Sequence, residues 1–302
     1  MAKARAIVKR RKAVRNIRKI TKTMQMIATA KFQKAMKRAV GTKPYTRKVR
    51  ELVAELAASV GNVSHPLLRQ PTSDDRTNTI AMVVITSNRG LAGAYNGSIL
   101  RMANAFIRRQ EQEGKTVELY VSGKKGVSYF NYHRQKIEQR YDQFADVPRF
   151  ADVQDVADYF INRFTAGKVD AVHVAFMNFI SAGQQKPEVM TLLPLAGLHQ
   201  VAPKPPSGAT AATVVKTTYD FYPDPRQLLD QLLPQTVKSA LFQCFLDATT
   251  SENVARMVSM KSATDNADKM IKSLTMQYNR ARQSQITTEL SEIMGGVEAM
   301  KS

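Results

Sequence analysis

Residues 14–32 read VRNIRKITKTMQMIATAKF, and the spacing of their apolar side chains decides the kind of fold. Starting just upstream, Ile7, Val14, Ile17, Met24 and Ile27 recur at intervals of seven and three, and Ala13, Ile20 and Ala28 widen the stripe. That repeat marks a coiled-coil seam, because it keeps one face of a helix turned toward a partner. Lys9, Arg10, Lys12, Arg15, Arg18, Lys19 and Lys22 fill the other faces, and the pattern resumes through Phe32, Met36, Val49, Leu52, Val53, Leu56 and Val60. Continuous over residues 3–59, the helix would run roughly 80 Å at 1.5 Å per residue, more than a compact domain needs. Gly41 and Pro44 are where it is expected to bend or break.

The far end of the chain has the same design. No proline occurs from Val237 to Met300, and Ala263, Ala267, Met270 and Leu274, then Ile286, Leu290, Ile293 and Val297, advance by four and three. This predicts a second helix of about 60 residues, roughly 90 Å long. Tertiary packing supplies most of the stability of such helices, so the two are expected to pair antiparallel along their stripes. Between them the grammar changes. TIAMVVITS at 79–87 is a buried-strand run, followed by the loop NRGLAGAYN and an amphipathic stretch over 97–113. Further strands are expected at 117–122, 171–180 and 187–194, with a helix at 153–165 and a Pro-, Ala- and Thr-rich connecting loop over 200–218. The fold class that results is α/β: a long antiparallel two-helix coiled coil from residues 1–60 and 226–302, and a central Rossmann-like α/β domain over 75–218.

Charge sharpens this picture. The net charge is +20, yet residues 1–50 alone hold 18 Lys or Arg and no acid, while residues 51–250 are nearly balanced at 20 basic against 19 acidic. A concentrated basic segment calls for an acidic partner: nucleic acid, anionic lipid or acidic protein loops. The one cysteine, Cys244, allows no internal disulfide and fits a reducing compartment. No apolar run reaches 18 residues, and the N-terminus lacks the apolar block of a secretory signal.

Signs of catalysis are weak. The GLAG turn at 90–93 follows a strand and precedes a helix, but lacks the third glycine of a dinucleotide fingerprint and the Gly-Lys-Ser/Thr of a P-loop, so a tight structural turn is the better reading. His65, His133, His173 and His199 are scattered without the spacing of a helical metal site. Asp74 and Asp75 lie in a polar loop beside Arg76, no nucleophile elbow frames a serine, and Cys244 sits in an apolar helical stripe.

VRNIRKITKTMQMIATAKF, with SENVARMVSMKSATDNADKMI at 251–271 and YNRARQSQITTELSEIMGG at 278–296, closely resembles the terminal helices of F-type ATP synthase gamma subunits, the central stalk of that machine. ITSNRGLAGAYN at 85–96 and YDFYPDPRQLLDQLLP at 219–234 resemble the same family, and residues 115–215 do so least. Asn253-Val254 replaces a frequent His-Ala, Ala92 a frequent Cys, and the first dozen residues are unusually basic. With one cysteine, the dithiol switch of the chloroplast branch cannot operate. The resemblance implies a non-catalytic rotary shaft without cofactor or metal, one copy per complex, inserted in a ring of alpha and beta subunits. Epsilon and the membrane c-ring would be its other partners, with indirect membrane contact, at the cytoplasmic face of a bacterial inner membrane.

It also implies roles for particular residues. Arg282, Gln283 and Thr287, with Arg280 and Glu289 nearby, match family positions that hydrogen-bond a loop of the catalytic subunit. Ile286, Leu290, Ile293, Met294 and Val297 would form the bearing tip, and Met24 with Lys19 and Lys22 would meet acidic loops of the beta subunits. The rival from another class is a basic coiled-coil nucleic-acid-binding protein, disfavoured because Phe32 and Tyr45 are the only aromatics among the first 50 residues and no DNA- or RNA-binding motif appears. A nucleotide-binding α/β enzyme rests on the GLAG turn alone.

Overall fold

A computed structural model describes residues 2–60, 65–69, 77–142, 144, 148–195 and 225–300. The chain divides into two units: Met1–Lys31 with Ala255–Ser302, here the helical unit, and Phe32–Val254, here the body. The expected loop at 200–218, His199, Asp74 and Asp75 lie outside the described residues.

Two helices supply the helical unit: the first part of α1 (Ala2–Val60) and the last part of α5 (Pro225–Ala299). Their pairing is antiparallel, because partner numbers fall as α1 numbers rise. The Arg11 guanidinium lies 5.1 Å from the Tyr278 ring centre, Arg18 forms an ion pair with Asp268, and Thr264 Oγ1 lies 2.8 Å from Thr21 Oγ1. The buried line on α1 is Thr21 and Ala28, continued upstream by half-buried Val14 and Ile7; on α5 it is Met260, Thr264 and Ala267. Small side chains dominate this seam, and they let helix axes come close. The expected stripe is therefore only partly the seam. Ile17, Ile20 and Ile27 are exposed, as is Met270 on α5. Nor does α1 break at Gly41 or Pro44: it runs uninterrupted through the proline. Buried Ala39, Thr46, Val49 and Val53 on either side anchor it, and tertiary packing of this kind offsets the lost hydrogen bond.

The body is a doubly wound layer. Its five-stranded sheet has the order β3-β2-β1-β4-β5, from β1 (Thr79–Ile85), β2 (Thr116–Ser122), β3 (Ile137–Tyr141), β4 (Ala171–Ser181) and β5 (Gln184–Leu193). All neighbours are parallel except β4 and β5, which form an antiparallel ribbon. The helices α2 (Tyr95–Gln112), α3 (Lys124–Tyr132) and α4 (Phe150–Thr165) make the crossovers. Central β1 is apolar along its length because both faces are covered. Ala81, Val83 and Ile85 join one large cluster with Val53 and Leu56 of α1, Phe160 of α4, and Leu233, Leu241, Cys244 and Phe245 of α5, while α2 packs against the same sheet through Ile99, Ala103 and Ile107. The alternation follows the period of two along a strand.

α3 and β3 escaped the sequence reading. Gly126 inside α3 looks like a breaker, but a Cβ there would come 2.7 Å from Thr86 Oγ1 and 2.8 Å from Val121, so close packing requires the glycine. β3 is an edge strand with exposed Glu138, Gln139 and Arg140, and so carries no apolar run.

His173 on β4 stacks against Phe106 with ring centres 4.8 Å apart. Burial, with Lys115 and Arg109 nearby, lowers its pKa from 6.5 to about 4. A folded-state pKa below the unfolded value means that the stability linked to this histidine is complete above about pH 6.5 and is lost as the pH falls toward 4. In urea titrations at pH 7 and pH 4.5, the wild-type chain is expected to lose roughly 2–3 kcal/mol more on acidification than His173→Gln. Equal losses would remove His173 from the account.

Candidate coupling surface

The antiparallel pairing has an end. Ala281 and Gln285 of α5 are half-buried, but from Ile286 onward the described side chains are exposed. α5 therefore outruns its partner and continues as a single helix. On a helix of 3.6 residues per turn, Ile286, Leu290, Ile293, Met294 and Val297 fall within one strip about 100° wide. They are between 48% and 64% exposed. A contiguous apolar strip left bare in this way marks an interaction surface.

The polar candidates border that strip. Gln283 opens it one turn before Ile286; its side chain is exposed, and its backbone carbonyl accepts a hydrogen bond from Thr287 Oγ1 at 3.0 Å. Arg282 and Glu289 flank one side, and Thr287 and Arg280 the other. Glu289 accepts a 2.8 Å bond from Gln285 Nε2. Arg280 and Arg282 are exposed and form no ion pair among the described residues. Apolar contact is non-directional, whereas amide and guanidinium groups select an orientation, so a sliding strip edged by such groups can distinguish rotational positions of whatever surrounds it.

On α1 the structure separates residues that the sequence grouped. Lys19 and Lys22 are exposed on one side of the seam, together with Lys12 and Arg15. Half-buried Met24 lies on the other side, in line with exposed Ile17, Ile20 and Ile27. α1 thus carries three faces: a seam, a basic face and an apolar face. Sequence reasoning missed Thr21 and Thr264, whose hydroxyls meet inside the seam, and the flanking Arg18–Asp268 pair at 2.5 Å. Only the heptad spacing from Val14 through Thr21 to Ala28 could have exposed them, and threonine is easily passed over as a surface residue.

The polar groups flanking the GLAG turn are bonded within the body. Leu91 and Gly93 adopt positive φ, Asn96 Oδ1 accepts from Ser87 N at 3.0 Å, Asn88 Oδ1 accepts from Lys124 N at 3.1 Å, and Thr86 Oγ1 accepts from Gly126 N at 2.9 Å. Nucleotides bind open α/β sheets in the crevice beyond the carboxyl ends of the strands. Here Phe144 and Phe245, with ring centres 4.3 Å apart, stand in that crevice beside Thr86, Asn88 and Ser122. No group of three or more metal-ligating side chains occurs among the described residues, and no helix among them is long and apolar enough to cross a membrane.

Comparison with known proteins bears on the whole chain. A family model described as ATP synthase matches residues 3–300. The chain is 44% identical over 301 residues to the ATP synthase gamma chain of Rhodopirellula baltica, covering 100% of both, and 39% identical to that of Leptospira biflexa, covering 99% of this chain and 100% of the relative. Among solved structures it is similar in fold to a chain of the Euglena gracilis mitochondrial ATP synthase rotor, with TM-score 0.59 at 18% identity, covering 94% of this chain and 99% of that one. A chain of the Tetrahymena thermophila mitochondrial ATP synthase central stalk and c-ring aligns with TM-score 0.54 at 20% identity, covering 81% and 99%.

Seam and surface respond differently to substitution. Thr21→Leu forces bulk between close helices and is expected to destabilise the chain by about 1–3 kcal/mol, whereas Leu290→Ser changes unfolding by less than about 0.5 kcal/mol. Urea unfolding followed by circular dichroism decides, and equal effects would contradict the assignment of faces.

Proposed function

The chain belongs to the ATP synthase gamma-chain family and is the central rotary shaft of that machine; we propose that it holds no catalytic site and couples rotation to ATP chemistry in its partners through the bare end of α5. The observation that carries this reading is that α5 continues alone past its pairing with α1, presenting an apolar strip edged by Gln283, Thr287, Arg280, Arg282 and Glu289. A rod of this kind, inside a threefold ring of alpha and beta subunits, offers a different face to each beta subunit at any moment. A partner shifts a conformational equilibrium only by its unequal interaction with the two states, so one asymmetric shaft holds three identical sites in three conditions, and rotation exchanges them.

The individual roles follow from chemistry. Ile286, Leu290, Ile293, Met294 and Val297 slide in an apolar sleeve, because contact without directional bonds leaves rotation nearly unopposed. Gln283, Thr287 and Arg282 catch a loop of the catalytic subunit at one angle, with Arg280 and Glu289 beside them. Lys19 and Lys22 meet acidic loops from the basic face of α1, while Met24 contacts the ring through the separate apolar face. Residues 1–60 and 226–302 form the shaft, and residues 75–218 the α/β domain that faces epsilon and the c-ring at the inner surface of a bacterial membrane. One copy serves each complex, and membrane contact is indirect.

Mixing the purified chain with matching alpha and beta subunits tests this. ATP hydrolysis is expected to depend on the chain, to fall roughly fivefold with Gln283→Ala, the worth of a hydrogen bond near 1 kcal/mol, and to lose its dependence when the chain is cut before Tyr278. Binding to duplex DNA that weakens steeply with salt, without capture of the ring, would instead support the nucleic-acid reading.

A further inference from the structure

β4 outlasts its neighbour β1. Their parallel pairing ends at Val84 with Ala175, while β4 continues beside β5 to Ser181. Beyond that point the edge that β1 has left would expose backbone groups, and alternation places the carbonyls of Met177 and Phe179 there. Both carbonyls are nevertheless bonded. Ser251 Oγ on α5 donates to Met177 O at 3.3 Å, and Lys43 Nζ on α1 donates to Phe179 O at 2.9 Å. Two helices stand in for the missing strand, one at each carbonyl.

The Lys43 ammonium serves a second acceptor. It lies 3.4 Å from Asp247 Oδ1 on α5, and the Asp247 side chain is only 6% exposed. Gln243 Nε2 donates to the same oxygen at 3.0 Å, and the Lys43 ammonium also sits 5.8 Å from the centre of the Phe179 ring. Gln243, Asp247 and Ser251 are spaced by four, so they line one face of α5 against the end of β4. Burial pushes the Asp247 carboxyl upward, an effect opposed by Lys43 and Gln243 and slightly reinforced by Glu188. Withdrawing Lys43 would orphan a buried carboxylate, so the contact resists displacement more than apolar packing does.

We propose that Lys43, Asp247 and Ser251 are positioning residues that form a torque joint, fastening the β4–β5 ribbon to the parts of α1 and α5 within the body, so that torque on those helices passes into the sheet. This rests on the rotary-shaft reading. The joint acts on transmission and leaves ATP hydrolysis in the ring to other groups.

The test uses the whole ATP synthase in sealed vesicles, with ATP hydrolysis and ATP-driven ion pumping measured on the same sample. Lys43→Met is expected to keep hydrolysis within about twofold and to lower the ions moved per ATP at least threefold. Lys43→Arg, which can still reach both acceptors, restores the ratio. The double variant Lys43→Met/Asp247→Asn leaves no orphaned charge and is expected to assemble normally yet still slip. An unchanged ratio in both Met variants overturns the joint, as does a parallel fall in hydrolysis and pumping, which marks a purely structural role. If complexes containing the wild-type chain neither hydrolyse nor pump in dependence on it, the shaft reading fails and the joint with it.

Discussion

The close approach of two helices across alanine and threonine governs the helical unit. Thr21 and Ala28 face Met260, Thr264 and Ala267, and none of the small members can fill space left by a more distant partner. Such a seam holds only when the axes are near, and around Thr21 and Thr264 that nearness leaves little room for bulky side chains. Ile17, Ile20 and Ile27 are consequently turned outward, where another protein can use them. The Thr21 and Thr264 hydroxyls add a polar layer that tells one register from its neighbours, a role that a single buried polar position plays in coiled coils generally.

In the body the governing relation is between strand length and helix placement. β1 is buried on both faces from Ile80 to Ile85 and is apolar over that run, whereas β2, nearer the edge, is apolar chiefly where it is buried, at Leu119, Tyr120 and Val121. β4 is longer than β1, and its projecting end requires polar partners from outside the sheet. Lys43, itself paired with Asp247, and Ser251 supply them from helices that also close the apolar cluster through Val53, Leu56, Leu241 and Phe245. Polar and apolar contacts thus bind the same elements at adjoining places.

Much of this was legible in the residues. The run from Thr79 to Ile85, the amphipathic stretch of α2 and the first terminal helix were each placed within a few residues, whereas the second, expected at about 60 residues, has 75 and runs through Pro234. The seam was harder to read because hydrophobicity alone ranks isoleucine above threonine; Ile17 looks interior and Thr21 looks exterior until the partner helix is present. The same limit applies to coupling. Nothing local in the string says that Met24 and Lys22 occupy opposite sides of the seam, or that Lys43 meets residues more than a hundred positions away. The apolar strip at the end of α5 was visible as a repeat, but its exposure depends on how far the pairing with α1 extends, which the repeat does not state.

Cys244 sits deep in the cluster formed by Val237, Leu241 and Phe245, and its side chain is almost inaccessible. Thiol reagents need access, and burial withholds it. A cysteine introduced at an outward position of α5 would therefore react with a maleimide dye far faster than the native thiol, without any prior mutation to clear the background. A bead, a gold rod or a fluorophore could be fixed at one chosen angle on an otherwise natural chain, which makes its turning directly observable.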